Sequence, residues 1–317
     1  MLVLSKEFQS NVNYITAIKK EGITNDRRKN MLILGEQHDF SNEELKILKK
    51  TFSVLNYIKY NEINPQKVIK NIDTHLQEKN SLIVLNTKAL VSKELLSYLV
   101  SLKKKDINYI SIQNFMEQYL NKCYIPSNFS DINFLEQIKP FNKIEYFFKF
   151  LIDYTASLSL LTITSPIILY TIYKIKKESP GSIIFKQQRI GLNGKEFTCY
   201  KFRSMHENSH DDPYTRENDT RIYPWGNFMR KTRIDELPQL INILKGEMHL
   251  IGPRAEWNRL VKDYETQIPY YNQRHIVKPG ITGWAQVMYP YGDGIEDARQ
   301  KLMYDLYYIK YWSFILE

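Results

Sequence analysis

The sequence predicts an α/β module followed by an α+β domain that carries a helix entering a membrane. Three observations predict it. Residues 30–125 alternate short apolar runs with helical spacing, the pattern of a parallel sheet flanked by helices. Residues 154–173 (YTASLSLLTITSPIILYTIY) hold no formal charge over 20 positions, about the length that reaches through a hydrocarbon core. Residues 178–317 break into short segments punctuated by Gly and Pro, with cations and carboxylates gathered on the turns.

Taken in order, residues 1–29 are polar and basic without a clear period and read as an arm or a first helix. In the module, 31–34, 55–60, 81–85 and 107–112 read as strands, and 43–52, 67–79 and 92–105 as helices. No GxGxxG follows any of these strands, so nothing specifies a dinucleotide, and the module reads as a Rossmann-like docking or regulatory unit. Residues 126–146, with Pro126 and Pro140, read as a linker. Residues 147–177 then form the membrane helix, and 178–317 the second domain. In the latter, 182–188 and 195–202 form a hairpin joined through Gly191-Leu-Asn-Gly194.

The membrane segment has two further marks. Ser165-Pro166 sits just past its middle, where proline removes a backbone hydrogen bond and the Ser165 hydroxyl can satisfy the freed carbonyl. Cations flank both ends: Lys143 and Lys149 before, Lys174, Lys176 and Lys177 after. A positive-inside preference is satisfied at both ends if the helix enters, bends and returns to the same leaflet. A kinked single span and a buried core helix are the alternatives.

Composition narrows the class. A chain of 317 residues with 43% hydrophobic and 25% charged residues folds, and its length suits two domains. A net charge of +9 favours an anionic partner: nucleic acid, anionic lipid or a phosphorylated substrate. The bilayer-length stretch and an Asp-Glu pair speak against nucleic acid. Cys123 and Cys199 make neither a disulfide framework nor a zinc pattern, and the N-terminus is charged too early for a signal peptide.

The richest stretch is Thr232-Arg-Ile-Asp-Glu-Leu-Pro-Gln239. Pro238 is tolerated only in the first turn of a helix, so a helix over 237–245 is expected to begin near Asp235. Asp235 and Glu236 then lie at a helix N-terminus beside Arg230, Lys231 and Arg233. An ionised Asp held there suits attack on phosphorus or binding of Mg2+. A lone Asp-Glu pair is usually an N-cap beside a solvated Glu; the neighbouring clusters change that reading. They are Ser179-Pro-Gly181, Gln188-Arg-Ile-Gly191, Tyr200-Lys-Phe-Arg-Ser-Met205, Leu250-Ile-Gly-Pro-Arg254, the 278–287 run KPGITGWAQV and the 304–310 run YDLYYIK. Arg254 and Lys278 put cations on tight turns, Gly280 and Gly283 expose backbone, and Arg offers a planar fork to phosphate.

In this order the clusters resemble the bacterial sugar transferase family, the monotopic phosphoglycosyl transferases. The resemblance runs from about residue 147 to 314 and rests on SP at 165–166, KFRSM at 201–205, TRIDELPQL at 232–240, GPR at 252–254, PGITGWAQV at 279–287 and YDLYYIK at 304–310. It implies transfer of a sugar 1-phosphate from a UDP-sugar to undecaprenyl phosphate with release of UMP, at the cytoplasmic face of a bacterial inner membrane. It implies a re-entrant helix broken at Ser165-Pro166. It implies Asp235 as nucleophile and Mg2+ ligand, with Glu236 beside it. Lys201, Arg203, Arg230, Arg254, Lys278, Gly280 and Asp305 become candidates for holding phosphate or orienting the cations that do. Inner-membrane lipid is the expected surroundings, and downstream glycosyltransferases or a second copy of the chain are conceivable partners. Ala255 stands where the family commonly has Pro, and Lys278 where Arg is frequent. Long members carry transmembrane helices before their α/β domain, and the family usually continues past the Trp312-Ser-Phe314 stretch; the module is expected to be that α/β domain without its anchor. A catalytically silent scaffold of the same fold is the competing class. Residues 288–298 are expected to form a specificity loop.

Overall fold

The computed structural model describes residues 28–60, 64–76, 81–86, 91–103, 107–126, 132–207, 209, 219–290, 292, 294–314 and 316–317. The expected N-terminal arm lies outside them but for its last two residues. Two compact units are present, 1–124 and 125–317.

The first unit is a four-stranded parallel sheet in the order β2-β1-β3-β4. Its elements are β1 (Lys29–Gly35), α1 (Asn42–Leu48), β2 (Phe52–Lys59), α2 (Pro65–His75), β3 (Ser81–Asn86), α3 (Lys93–Lys103), β4 (Asn108–Ser111) and α4 (Ile112–Leu120). The strands are near-continuous apolar runs because helices cover both faces of the sheet. Leu32, Leu34 and Ile83 pack with Val68, Ile72, Leu95 and Leu99 on one side. The helices start where capping chemistry dictates: Ser41 and Glu44 form a reciprocal capping box, and Asn64 caps α2 ahead of Pro65. The mixed α/β expectation holds for this unit, with two corrections. The helix expected over 43–52 stops at Leu48, because Phe52 enters the sheet. Ile112 begins α4 rather than ending a strand, since the Ser111 hydroxyl accepts the Asn114 N–H and starts a helix.

The second unit contains α5 (Ile132–Gln137), α6 (Lys143–Glu178), β5 (Ile184–Ile190), β6 (Glu196–Phe202), α7 (Pro224–Thr232), α8 (Gln239–Leu244), β7 (His249–Ile251), α9 (Asn258–Gln267), β8 (Gly280–Thr282), α10 (Trp284–Met288) and α11 (Ile295–Lys310). The hairpin expectation holds: β5 and β6 pair antiparallel across a short turn. The stretch read as a linker instead contains α5 and the start of α6, whose N-terminus is closed by a capping box between Asn142 and Glu145.

Helix α6 is apolar outward and polar inward. Lys149, Asp153, Ser157 and Thr171 are buried, while Phe147, Phe150, Leu158, Ile163, Leu169 and Tyr173 are exposed. It is the one helix among the described residues long and apolar enough to cross a membrane, and little of that stretch is covered by protein. The hydroxyls of Thr155, Ser159, Thr162 and Thr164 each bond a carbonyl of their own helix, which hides them from an apolar medium. The helix runs unbroken through Ser165-Pro166, where a break was expected. The Thr162 carbonyl, left without a partner by Pro166, accepts the Ser165 hydroxyl at 2.8 Å. Both halves pack on the same unit. Asp153 accepts the Leu250 N–H at 2.9 Å, Leu161 meets the Leu240–Ile243–Met248 cluster, and Ile168, Ile172 and Ile175 pack with Met229 and Ile234. Ser165 and Pro166 are exposed. Two of the flanking lysines are not free cations: Lys149 is buried against Glu317 at 2.5 Å, and Lys174 pairs with Glu178.

Candidate active site

Asp235 and Glu236 lie in the connection between α7 and α8. Arg233 ends α7 in the left-handed region (φ 61°), and the chain turns into a 3-10 turn over Ile234–Glu236. The helix expected over 237–245 starts only at Gln239, because the Pro238 ring leaves the preceding residues to a tighter turn. The carboxylates are therefore buried in that turn rather than in the first turn of an α-helix.

Strand β6 holds this turn in place. The Asn242 side chain on α8 accepts the Tyr200 N–H at 3.1 Å and donates to the Thr198 carbonyl at 2.7 Å. At the start of α7 the Tyr223 hydroxyl donates to the Arg203 carbonyl. Gly226 lets α7 lie on the same segment, since a Cβ there would stand 2.1 Å from the Ser204 carbonyl oxygen. Anchored this way, β6 delivers Lys201 to Glu236 at 2.8 Å. The same carboxylate oxygen lies 3.5 Å from Arg254 and 3.8 Å from Arg233.

The two carboxylates are thereby driven apart. Burial alone would raise the Glu236 carboxyl, but Lys201 and Arg254 outweigh it and hold the group at about 2. Burial pushes Asp235 up, with the Glu236 charge adding to it, against the pull of Lys201 and Arg230. Asp235 Oδ1 is buried and accepts no hydrogen bond from any described residue. Glu236 is a pinned counter-ion, and Asp235 is an acceptor awaiting a partner.

That orphaned oxygen fits a cation carried in on a phosphate. Mg2+ typically takes one or two carboxylates, with water and substrate phosphate completing its octahedron. Among the described residues no group of three His, Cys, Asp or Glu converges, so a cation here would find Asp235, and at most Glu236, from the protein.

The other expected site residues divide. Lys201, Arg254 and Gly280 line one pocket with Arg189, Cys199 and Gln239. Gly280 is required for closeness: a Cβ would lie 2.2 Å from the Gly252 nitrogen, and the Gly280 N–H donates to the Pro253 carbonyl at 2.9 Å. Arg230 is near enough to act on Asp235. Arg203 is buried and gives one N–H to the Ser179 carbonyl, while its Nε and second amino nitrogen bond no described residue. Lys278 stands apart from the carboxylates, its ammonium 5.1 Å from the centre of the Tyr146 ring near the start of α6. Asp305 is buried in α11 and pairs with Arg274 at 2.7 Å, so it does not line the pocket. Sequence reasoning missed Arg189, Asn242 and Arg274 as individuals. The Gln188-Arg-Ile-Gly191 cluster was the signal for the first; nothing local marks the other two.

A loop-rich domain thus closes onto an inside-out helix and carries a pinned Glu, an open Asp and a cationic pocket. The chain belongs to the bacterial sugar transferase family, whose model matches residues 144–317. It is 46% identical over 167 residues to the UDP-N-acetylgalactosamine-undecaprenyl-phosphate N-acetylgalactosaminephosphotransferase of Aeromonas hydrophila, a match covering 52% of this chain and 40% of that protein. It is 45% identical over 159 residues to the UDP-glucose:undecaprenyl-phosphate glucose-1-phosphate transferase of Xanthomonas campestris pv. campestris, covering 48% of this chain and 32% of that protein. It is 40% identical over 173 residues to the exopolysaccharide production protein PSS of Rhizobium leguminosarum bv. phaseoli, covering 52% of this chain and 86% of that protein. The chain thus spans less than half the length of the first two relatives.

Arg254→Ala should weaken use of a nucleotide sugar more than it harms stability. A charge-assisted contact to phosphate contributes about 1.5–3 kcal/mol, and the Arg254 side chain is only partly buried. A lowered melting temperature with unchanged steady-state kinetics would make Arg254 structural.

Proposed function

We propose that this chain transfers a sugar 1-phosphate from a UDP-sugar to undecaprenyl phosphate, through a covalent intermediate on Asp235. The observation that carries it is the buried Asp235 oxygen without a hydrogen-bond partner among the described residues, beside a Glu already neutralised by Lys201 and Arg254. In the first step an Asp235 oxygen attacks the β-phosphorus, the bond from that phosphorus to the bridging oxygen breaks, and UMP leaves. In the second, an oxygen of undecaprenyl phosphate attacks the same phosphorus, the bond to Asp235 breaks, and the carboxylate returns. Splitting one displacement in two lets a soluble donor and a lipid acceptor use one site in turn. Lys201 and Arg254 offset the anionic charge that two phosphorylated substrates bring to an anionic nucleophile. Asp235 would hold Mg2+, which would supply further charge neutralisation to the phosphates.

The relatives' names cover N-acetylgalactosamine and glucose donors. A panel of such UDP-sugars, assayed for UMP release in detergent with undecaprenyl phosphate, tests the proposal. No UMP from any donor would favour a silent scaffold of the same fold. The specificity loop expected over 288–298 is narrower: Met288 ends α10 and 295–298 belong to α11, so residues 289–294, of which 291 and 293 lie outside the described residues, are the proposed sugar-specificity segment. The 1–124 unit is assigned a docking or regulatory role.

The proposal places α6 in the cytoplasmic leaflet of the inner membrane with both ends on the cytoplasmic side. Both halves of the helix pack on one unit while Ser165-Pro166 stands exposed between them, and this supports a helix held on one side of the bilayer even though it is continuous through the proline. Lys143, Lys176 and Lys177 remain exposed at the ends, each worth about 1 kcal/mol near an anionic surface. Single cysteines near residues 140 and 178, introduced after removal of Cys123 and Cys199, should both react with a cytoplasmic-side label. Labelling from opposite sides would refute the re-entrant arrangement.

A further inference from the structure

Arg254 reaches Glu236 from the loop that follows β7, and that loop is held from outside. Its two consecutive carbonyls each accept a guanidinium N–H. Arg274 donates to the Arg254 carbonyl at 2.9 Å, and Arg189 donates to the Ala255 carbonyl at 2.6 Å. Each guanidinium is itself fixed. Arg189, on β5, gives its Nε and one amino group to Gln187 Oε1 at 2.8 and 2.5 Å. Arg274, in the 3-10 turn Tyr271–Ile276, pairs with Asp305 at 2.7 Å and donates to the Tyr271 hydroxyl at 2.6 Å. Backbone ties reinforce the grip: the Ile190 N–H donates to the Glu256 carbonyl at 3.1 Å, and Arg254 forms a parallel bridge with Gly280.

We infer that Arg189 and Arg274 are positioning residues that clamp the backbone at 254–255 and so aim the Arg254 guanidinium at Glu236 and at the diphosphate of the nucleotide donor; Asp305 acts at one remove, by holding Arg274. Two features select this role. A hydrogen bond from a charged donor is about twice as strong as a neutral one, so each clamp resists loop motion. The loop also brings like charges together, since Arg189 and Arg254 line the same pocket, and an unheld Arg254 would swing away from Arg189. A guanidinium whose arms are committed to a backbone carbonyl and to Gln187 is oriented for support rather than for capture.

The inference rests on the proposed transfer reaction, and the test separates the two. UDP with Mg2+ is titrated calorimetrically into the full chain in detergent, as wild type, Arg189→Gln, Arg254→Ala and the double variant. If Arg189 acts through Arg254, Arg189→Gln weakens UDP binding about tenfold, and the double variant binds no more weakly than Arg254→Ala alone. Multiplying losses would make Arg189 a direct phosphate ligand and overturn the clamp, as would wild-type affinity in Arg189→Gln. Arg274→Lys keeps the charge but removes the second arm of the fork, and should give the same non-additive pattern with Arg254→Ala should Arg189→Gln not fold. Wild-type protein that neither binds UDP nor releases UMP from any donor defeats the proposed reaction and the clamp with it. Binding by wild type with silent Arg189 and Arg274 variants defeats the clamp alone.

Discussion

Asp235→Asn should abolish UMP release, by about 10⁴-fold or more, the order of loss on removing a nucleophile that forms a covalent intermediate. The substitution is nearly isosteric and removes no hydrogen bond between Oδ1 and any described residue, so the melting temperature should hardly move. Activity within tenfold of wild type would sink the assignment; a phosphosugar adduct on the peptide containing Asp235 would establish it. The pH profile gives an independent check. The reactive form is the carboxylate, and burial raises its pKa, so the rate should fall on acidification at a pH above the ordinary Asp range. Glu236, held at about 2, stays ionised throughout. Glu236→Gln removes the like charge and frees Lys201 to face Asp235, so the acid limb should move to lower pH.

Asp305→Ala should be the most destabilising single change in the second unit. It removes the carboxylate paired with the buried Arg274 guanidinium and leaves only the less direct Glu256 charge, and breaking a buried pair from one side costs about 3–5 kcal/mol. Burial pushes the Asp305 carboxyl up to about 6 against the pull of Arg274, so the comparison is made above that pH, where the carboxylate is the form that is lost. Thermal melts in detergent should show the midpoint falling by several degrees, with a weaker apparent affinity for the nucleotide in the protein that remains folded. An unchanged midpoint would mean that Arg274 finds another partner.

Much of this was legible in the chain, and the limits have physical causes. The parallel strands stood out because a sheet covered on both faces demands unbroken apolar runs such as Met31–Leu34. The carboxylate turn stood out because Pro238 restricts what can precede it. What could not be read were contacts between side chains distant in sequence. Nothing near Asp305 says that its partner lies in the 3-10 turn at Arg274, nor that this pair reaches back to the carbonyl of Arg254. Lys149 read as a flanking cation because burial by Glu317, far along the chain, leaves no local trace. Lys278 was grouped with the candidate phosphate ligands from its turn and its motif, and its direction toward Tyr146 is a tertiary fact.

The inward polar face of α6 has a consequence for assembly. Asp153 supplies acceptors to both His249 and the Leu250 N–H along the free edge of β7, the strand that leads into the Arg254 loop. Until the helix is present the Leu250 N–H and the His249 ring lack that acceptor. Residues 143–178 precede 184–317 in the chain, so the helix is available to complete that edge as the later domain forms. A version of the domain made without it should be an unfinished fold, not a soluble enzyme that has lost its anchor.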